Sequence, residues 1–277
     1  MRQTARGPLF AAAGCLLAFV AVLVCAYAIA PVERLDATAL HGLMSLSGPV
    51  SDLVGDPVAH TADPLPLAVV LAALLACGWA FGRRREAVAA LALVAGANLT
   101  CVVLKVALAH PRFQPILGPD QLDADAFPSG HATSAMSIAL SAVLVAPARL
   151  RIVVAAGAAA WVIAVSTSLL VQGWHFPSDV LGGLLLASGF FFGAVAASRA
   201  GVAGRAGFAA HRVRLAFSPG LGGAALAVGA GVGVIALARA DDLLAFARLH
   251  TAATVTALAI MAVSAGLVAS AALISDP

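Results

Sequence analysis

Charge is what this sequence has least of. Asp, Glu, Lys and Arg together make up 10% of its 277 residues, against about 25% in an ordinary soluble domain. That shortfall excludes a water-covered globule. Lysine occurs once, at Lys105, and tyrosine once, at Tyr27. The four cysteines, Cys15, Cys25, Cys77 and Cys101, lack metal-ligand spacing and fall inside apolar runs. They read as small packing residues, not as disulfides or a metal site. The net charge of +3 gives no reason to expect nucleic acid, because its distribution serves topology. No internal repeat is evident.

What is abundant is apolar sequence. Hydrophobic residues reach 62% and the mean hydropathy is +1.01. Apolar stretches recur near the roughly 20 residues that a helix needs to cross a bilayer. Eight are expected, at 9–30, 65–82, 87–109, 131–147, 152–173, 178–198, 219–239 and 251–273. They are too long and continuous for barrel strands, and lipid leaves no partner for unpaired backbone. The fold class is therefore all-α, a polytopic membrane helical bundle. The first stretch follows Arg2 and Arg6 and ends Ala26-Tyr27-Ala28-Ile29-Ala30, which imitates a signal-peptidase site. It exceeds the usual apolar core of about 7–15 residues in a signal peptide, so it is read as an uncleaved span.

Arginines set the orientation. Eleven of the sixteen basic residues fall before the first span or between spans two and three, four and five, and six and seven. By the positive-inside bias these loops are cytoplasmic, and both termini follow. The loops 31–64, 110–130, 174–177 and 240–250 then lie outside, with 31–64 expected to form at most a short interfacial helix. A basic linker at 199–218 divides a six-span core, 1–198, from a C-terminal two-span hairpin, 219–277.

Three polar clusters stand at the outer ends of spans three to six. Lys105 lies one turn inside span three, ahead of Ala109-His110-Pro111-Arg112. An ionisable residue at that depth is costly and points to function, although a lysine can also snorkel to the interface. Next comes Phe127-Pro128-Ser129-Gly130-His131, where Ser129 suits an N-cap and the free N–H groups of a helix start can hold an anion. The third cluster is Trp174-His175-Phe176-Pro177-Ser178-Asp179. Asp179 is close enough in sequence to accept a hydrogen bond from His175, fixing its tautomer and freeing the other nitrogen to attack.

Together the clusters strongly resemble the type 2 phosphatidic-acid phosphatase (PAP2) superfamily of integral membrane lipid phosphatases. Its signature is Lys-x6-Arg-Pro, Pro-Ser-Gly-His, then Ser-Arg-x5-His-x3-Asp. Lys105 and Arg112 keep the first spacing, residues 128–131 match the second motif, and Ser168, His175 and Asp179 keep the third. The resemblance, over about residues 31–198, implies that His175 attacks phosphorus with Asp179 orienting it. It implies that His131 protonates the leaving oxygen and then activates water. Lys105, Arg112, Ser129 and the Gly130 backbone would hold the phosphoryl oxygens, so neither a metal nor another cofactor is called for. The implied substrate is a lipid phosphate drawn from the surrounding membrane lipids, such as phosphatidic acid, phosphatidylglycerol phosphate or undecaprenyl diphosphate. The implied setting is a bacterial plasma membrane with the site extracytoplasmic.

Two positions depart from the pattern. The proline beside Arg112 precedes it, and the arginine expected after Ser168 is Leu169. A charged hydrogen bond to phosphate contributes on the order of 1.5–3 kcal/mol. Gln172, one turn further on, could donate instead, or Arg239 or Arg248 could reach over from the hairpin. Arginine restored at 169 is expected to preserve or raise turnover. Competing readings are a phosphotransferase using an alcohol acceptor and a catalytically impaired lipid-phosphate binder or transporter. Vanadium-dependent haloperoxidases share the motifs but are soluble. His41, His60, His211 and His250 look scattered, interfacial or structural, and Asp120, Asp123 and Asp125 look like a solvated acidic loop.

Overall fold

A computed structural model describes residues 6–117, 122–203 and 240–275. Among these residues the regular structure is helical, without strands. The long apolar stretches become α1 (Arg6–Ala28), α4 (Pro64–Ala80), α5 (Arg84–Ala107), α6 (Gly130–Val145), α7 (Arg151–Val171), α8 (Pro177–Ala203) and α10 (Thr251–Ile274). Between them come α2 (Ala30–Met44), α3 (Pro49–His60) and α9 (Ala240–Leu249). Five helices are long and apolar enough to cross a membrane, α1, α5, α7, α8 and α10. A sixth span arises if α3 and α4, bent by 58° at their junction, count as one. The protein is an integral membrane protein. The span expected at 219–239 and most of the linker 199–218 lie outside the described residues.

The segment 31–64 differs from expectation, being helical along most of its length as α2 and α3. Proline supplies each start, at Pro31, Pro49 and Pro64, where a missing N–H costs nothing. In α2 the buried residues Ala37, Leu40 and Leu43 form an apolar stripe at helical spacing. The helix packs that stripe against α10, α7 and α8.

At the centre stands α6. It is the most enclosed helix, buried at almost every position from Ala132 to Val145. Its Ala and Ser side chains let neighbouring backbones approach, the usual solution where lipid removes any hydrophobic drive between helices. Asn98 of α5 donates to Ser137 Oγ at 3.3 Å and accepts from Ser134 Oγ at 2.7 Å. Lipid-side residues such as Leu99, Val102, Val103 and Val106 of α5 remain exposed. The second leg of the C-terminal segment, α10, buries Ala253, Ile260, Ser264, Val268 and Ala271 against α7 and α2.

The tightest crossing is α8 on the start of α6. A Cβ on Gly183 would stand 2.6 Å from the Ser129 carbonyl oxygen and 2.9 Å from Thr133 N, and backbone cannot step aside cheaply. Overpacking of this kind costs roughly 1–3 kcal/mol. Gly183→Ala is expected to lower the melting temperature in detergent and to reduce activity, whereas Gly193→Ala, with open space around it, is expected to do neither.

Candidate active site

All three sequence clusters converge at one end of the bundle, where α5 and α7 finish and α6 and α8 begin. Ser129 is the N-cap of α6, and its Oγ accepts from Ala132 N at 3.3 Å. Its own N–H donates to the Asp179 carbonyl at 2.9 Å, which ties the start of α6 to the first turn of α8. Gly130 and His131 form the first turn of α6. Lys105 lies over it, with Cε 4.0 Å from where a Gly130 Cβ would be. Its ammonium donates to the Asp125 carbonyl at 2.7 Å.

His175 arrives by a helix-ending turn. Gly173 has φ +71°, the left-handed conformation that glycine adopts without penalty. Gly173 N donates to Leu170 O at 3.2 Å and Trp174 N to Leu169 O at 2.9 Å. These are the two bonds of a Schellman motif, which satisfies the last carbonyls of α7. The turn projects Trp174 and His175 toward α6. The imidazoles of His131 and His175 stand with centroids 6.3 Å apart and planes at 61°.

Asp179 is fully enclosed. One oxygen accepts from the Phe176 N–H at 2.9 Å, the reach-back from the third helical position to the N-cap that occurs in a capping box. The other accepts from Arg112 Nη1 at 2.8 Å. His175 Nδ1 is 3.7 Å from Asp179, an ion-pair distance beyond hydrogen-bond reach.

Arg112 is held by more than Asp179. Its Nη2 pairs with Asp36 of α2 and donates to Ser178 Oγ at 3.0 Å. Its guanidinium stacks 4.2 Å above Phe176. Asp36 also accepts from the Ser178 N–H at 3.1 Å and from Ser178 Oγ at 2.6 Å. Burial pushes the Asp36 carboxyl up, while Arg112 pulls it down. Arg112 thus joins α2 to α8, with two buried carboxylates as partners.

Ser168 and Gln172 take another direction. A Cβ on Gly55 of α3 would lie 3.3 Å from Gln172 Nε2 and 3.5 Å from Ser168 Oγ, so both side chains face α3. Leu169 is wholly buried in the main core. That changes the expectation for Leu169→Arg, since a guanidinium placed there would enter packed apolar surroundings. The variant is now expected to lower the melting temperature without raising turnover. Arg248 is exposed on α9, and Arg239 lies outside the described residues.

Two side chains near the site escaped the sequence reading, Asp36 and Asp63, and a third, His60, was read only as a scattered structural residue. Asp63, at the bend between α3 and α4, meets His131 Nε2 at 2.9 Å through one oxygen and His60 Nδ1 at 2.8 Å through the other. The His60 hydrogen bond above all, with that of His131 behind it, holds the Asp63 carboxyl below the usual carboxylate range. A depressed carboxyl contributes stability above its unfolded value, about 3.9, and loses it as pH falls through the folded value. A signal existed for Asp36 alone: it lies on the buried stripe of α2, one turn before Leu40, where a carboxylate requires a partner.

The fold and the site define a polytopic helical membrane protein whose two facing histidines meet at one end of the bundle. Residues 86–201 match the family model of the PAP2 superfamily. It is also similar to the crystal structure of the first transmembrane PAP2 type phosphatidylglycerolphosphate phosphatase from Bacillus subtilis. The identity is 21%, the match covers 74% of this chain and 100% of that one, and the TM-score is 0.58. That likeness is one of fold. No curated protein matches the chain.

Proposed function

We propose that the protein is a membrane phosphatase that hydrolyses a lipid phosphate or polyprenyl diphosphate through a phosphohistidine, without a metal. The observation that carries this reading is the pair of imidazoles 6.3 Å apart, beside the single lysine and the free N–H groups that begin α6. One imidazole attacks, the other manages the proton, and preorganised positive charge stabilises the transferring phosphoryl group.

In the first half-reaction a His175 nitrogen attacks phosphorus while the bond to the leaving oxygen breaks. His131 gives that oxygen its proton. In the second, His131 takes a proton from water, the hydroxide attacks phosphorus, and the P–N bond breaks to release phosphate and restore both imidazoles. Lys105 and the backbone at Gly130 hold the phosphoryl oxygens. Arg112 acts on Asp179, and through it on His175, from the opposite side.

An amphiphilic substrate fits the surroundings. A lipid-facing groove of about 910 Å³ runs between α1, α5 and α8, lined by residues such as Leu16, Phe19, Leu93, Leu104, Leu185 and Phe190. Leu104 adjoins Lys105 in sequence, and Phe19 packs against Phe127 with ring centroids 5.3 Å apart, so one end of the groove lies beside the phosphate cradle. The PAP2-type relative makes phosphatidylglycerol phosphate the first substrate to try. Arg83, Arg84 and Arg85 begin α5 at the opposite end of the bundle from the site, and Arg83 donates to the Leu144 carbonyl near the end of α6 at 3.2 Å. With that end cytoplasmic, the site faces outward. Residues 1–198 then form the catalytic core, 199–218 a cytoplasmic linker, and 219–277 an added hairpin. Detergent-purified protein is expected to release phosphate from phosphatidylglycerol phosphate, phosphatidic acid or undecaprenyl diphosphate with chelator present. Failure on every member of that panel would sink the reading.

A further inference from the structure

We propose that Asp63 is the positioning residue for His131, held in place by His60, so that the acid–base histidine works as part of an Asp–His pair. The inference rests on the phosphatase reading above and adds to it a residue outside its motifs.

The local sequence explains why this carboxylate is available. Asp63 is the N-cap of α4, yet its side chain makes no capping bond. An N-cap side chain normally accepts from the second or third helical N–H. Here the helix begins Pro64-Leu65-Pro66, so the third position has no N–H to give. The 58° bend between α3 and α4 places the carboxylate beside the first turn of α6, and each oxygen takes one imidazole. His60, at the end of α3, has its side chain 51% exposed. Trp174 joins the group, with its ring centroid 5.2 Å from His60 and 5.6 Å from His131. His175 follows Trp174 directly, so the aromatic ring packs against the clasp beside the nucleophile.

The chemistry follows from which nitrogen is taken. With Nε2–H of His131 donating to Asp63, the proton exchanged with the substrate is carried on Nδ1. Protonated His131 gives the Nδ1 proton to the leaving oxygen, and the neutral ring that remains accepts a proton from water at the same atom. Asp63 stabilises the imidazolium in the first case and fixes the tautomer in the second. His60 occupies the other carboxylate oxygen, which keeps the group from rotating away.

A leaving-group comparison on the full-length protein in detergent tests this. Dioctanoyl phosphatidic acid leaves as an alkoxide and needs the proton, whereas p-nitrophenyl phosphate leaves as a stabilised phenolate and does not. General acid–base catalysis contributes typically 10²–10⁴-fold, so Asp63→Asn is expected to lower kcat on the phosphatidic acid by about 100-fold with KM little changed. Read as kcat/KM, which ends at phosphoryl transfer to His175 and so leaves out the water step that both substrates share, the fall on p-nitrophenyl phosphate is expected to be about tenfold smaller. Asp63→Glu should recover part of the loss. Both substrates are assayed on the same sample, so the ratio of rates cancels any loss of folded protein. Equal losses on both substrates, or Asp63→Asn matching the wild type on both, would overturn the role of Asp63 and leave the phosphatase reading standing. A wild type that releases phosphate from neither substrate overturns both.

Discussion

Replacing His175 with alanine is expected to remove phosphate release from every lipid phosphate the protein accepts. The His175 side chain is only 10% exposed, and its backbone is fixed by the Schellman bonds of Gly173 and Trp174, so truncation removes the proposed nucleophile without unfolding the turn. Members of a catalytic unit act together. Losing a nucleophile in such a unit can cost about 10⁶ in rate, and what survives comes from binding and charge stabilisation alone. Here a drop of at least about 10³-fold is expected, with the melting temperature within a few degrees of wild type. Rapid quench into alkaline detergent with ³²P-labelled substrate should trap an alkali-stable, acid-labile label on the wild type and none on His175→Ala. Turnover persisting in that variant, with chelator present, would defeat the mechanism.

Arg112→Ala should have the second large effect, and its kind matters more than its size. If the guanidinium served mainly to grip phosphate, truncation would raise KM and leave the fold intact. The structure gives Arg112 two enclosed carboxylates, Asp36 and Asp179, and the hydroxyl of Ser178. Breaking a buried ion pair by removing one partner costs about 3–5 kcal/mol, because the charge left behind is uncompensated. A fall in melting temperature of roughly 10 °C follows at about 2–4 °C per kcal/mol. Turnover should drop as well, since Asp179 would lose the partner that holds it near His175. The double variant Arg112→Ala/Asp36→Ala should be more stable than the sum of the single losses predicts, a coupling that a double-mutant cycle reads directly. An unchanged melting temperature with a raised KM would return Arg112 to the phosphate.

Much of the fold could be read before any coordinate. The stretches expected at 87–109, 152–173 and 251–273 correspond to α5, α7 and α10 within a few residues, because lipid demands a continuous apolar run of known length. The stretch at 131–147 is harder. It folds as the 16-residue α6, shorter than the roughly 20 residues that cross a bilayer, and neighbouring helices enclose it almost completely. Segment 31–64 was misjudged for a related reason. The apolar positions of α2 are spaced for packing on protein rather than on lipid, so its mean hydropathy understates how much of it is buried.

The same division runs through the site. Lys105, Ser129, Gly130, His131, His175 and Asp179 were legible as three spaced clusters because local chemistry marks them: a lone lysine at membrane depth, an N-cap, a proline-started helix. Asp63 carries no such mark. Its partners are His60, three residues before it, and His131, 68 residues after it, and only the bend between α3 and α4 brings the three together. Leu169 and Gln172 show the converse, since their nearness to the motif in sequence does not give either a direct line to the histidines. Their helix turns one toward the core and the other toward α3.

Composition and spacing by themselves determined that this chain lies in a membrane as helices and carries two histidines in a PAP2 pattern. Both follow from constraints that act along the chain: the thickness of the bilayer and the short-range geometry of helix ends. Tertiary packing alone decided who holds whom, giving Arg112 to Asp36 and Asp179 and giving His131 to Asp63. A buried charge takes whichever opposite partner the fold delivers within about 3 Å, and residues 67 to 76 positions apart carry no local trace of that delivery.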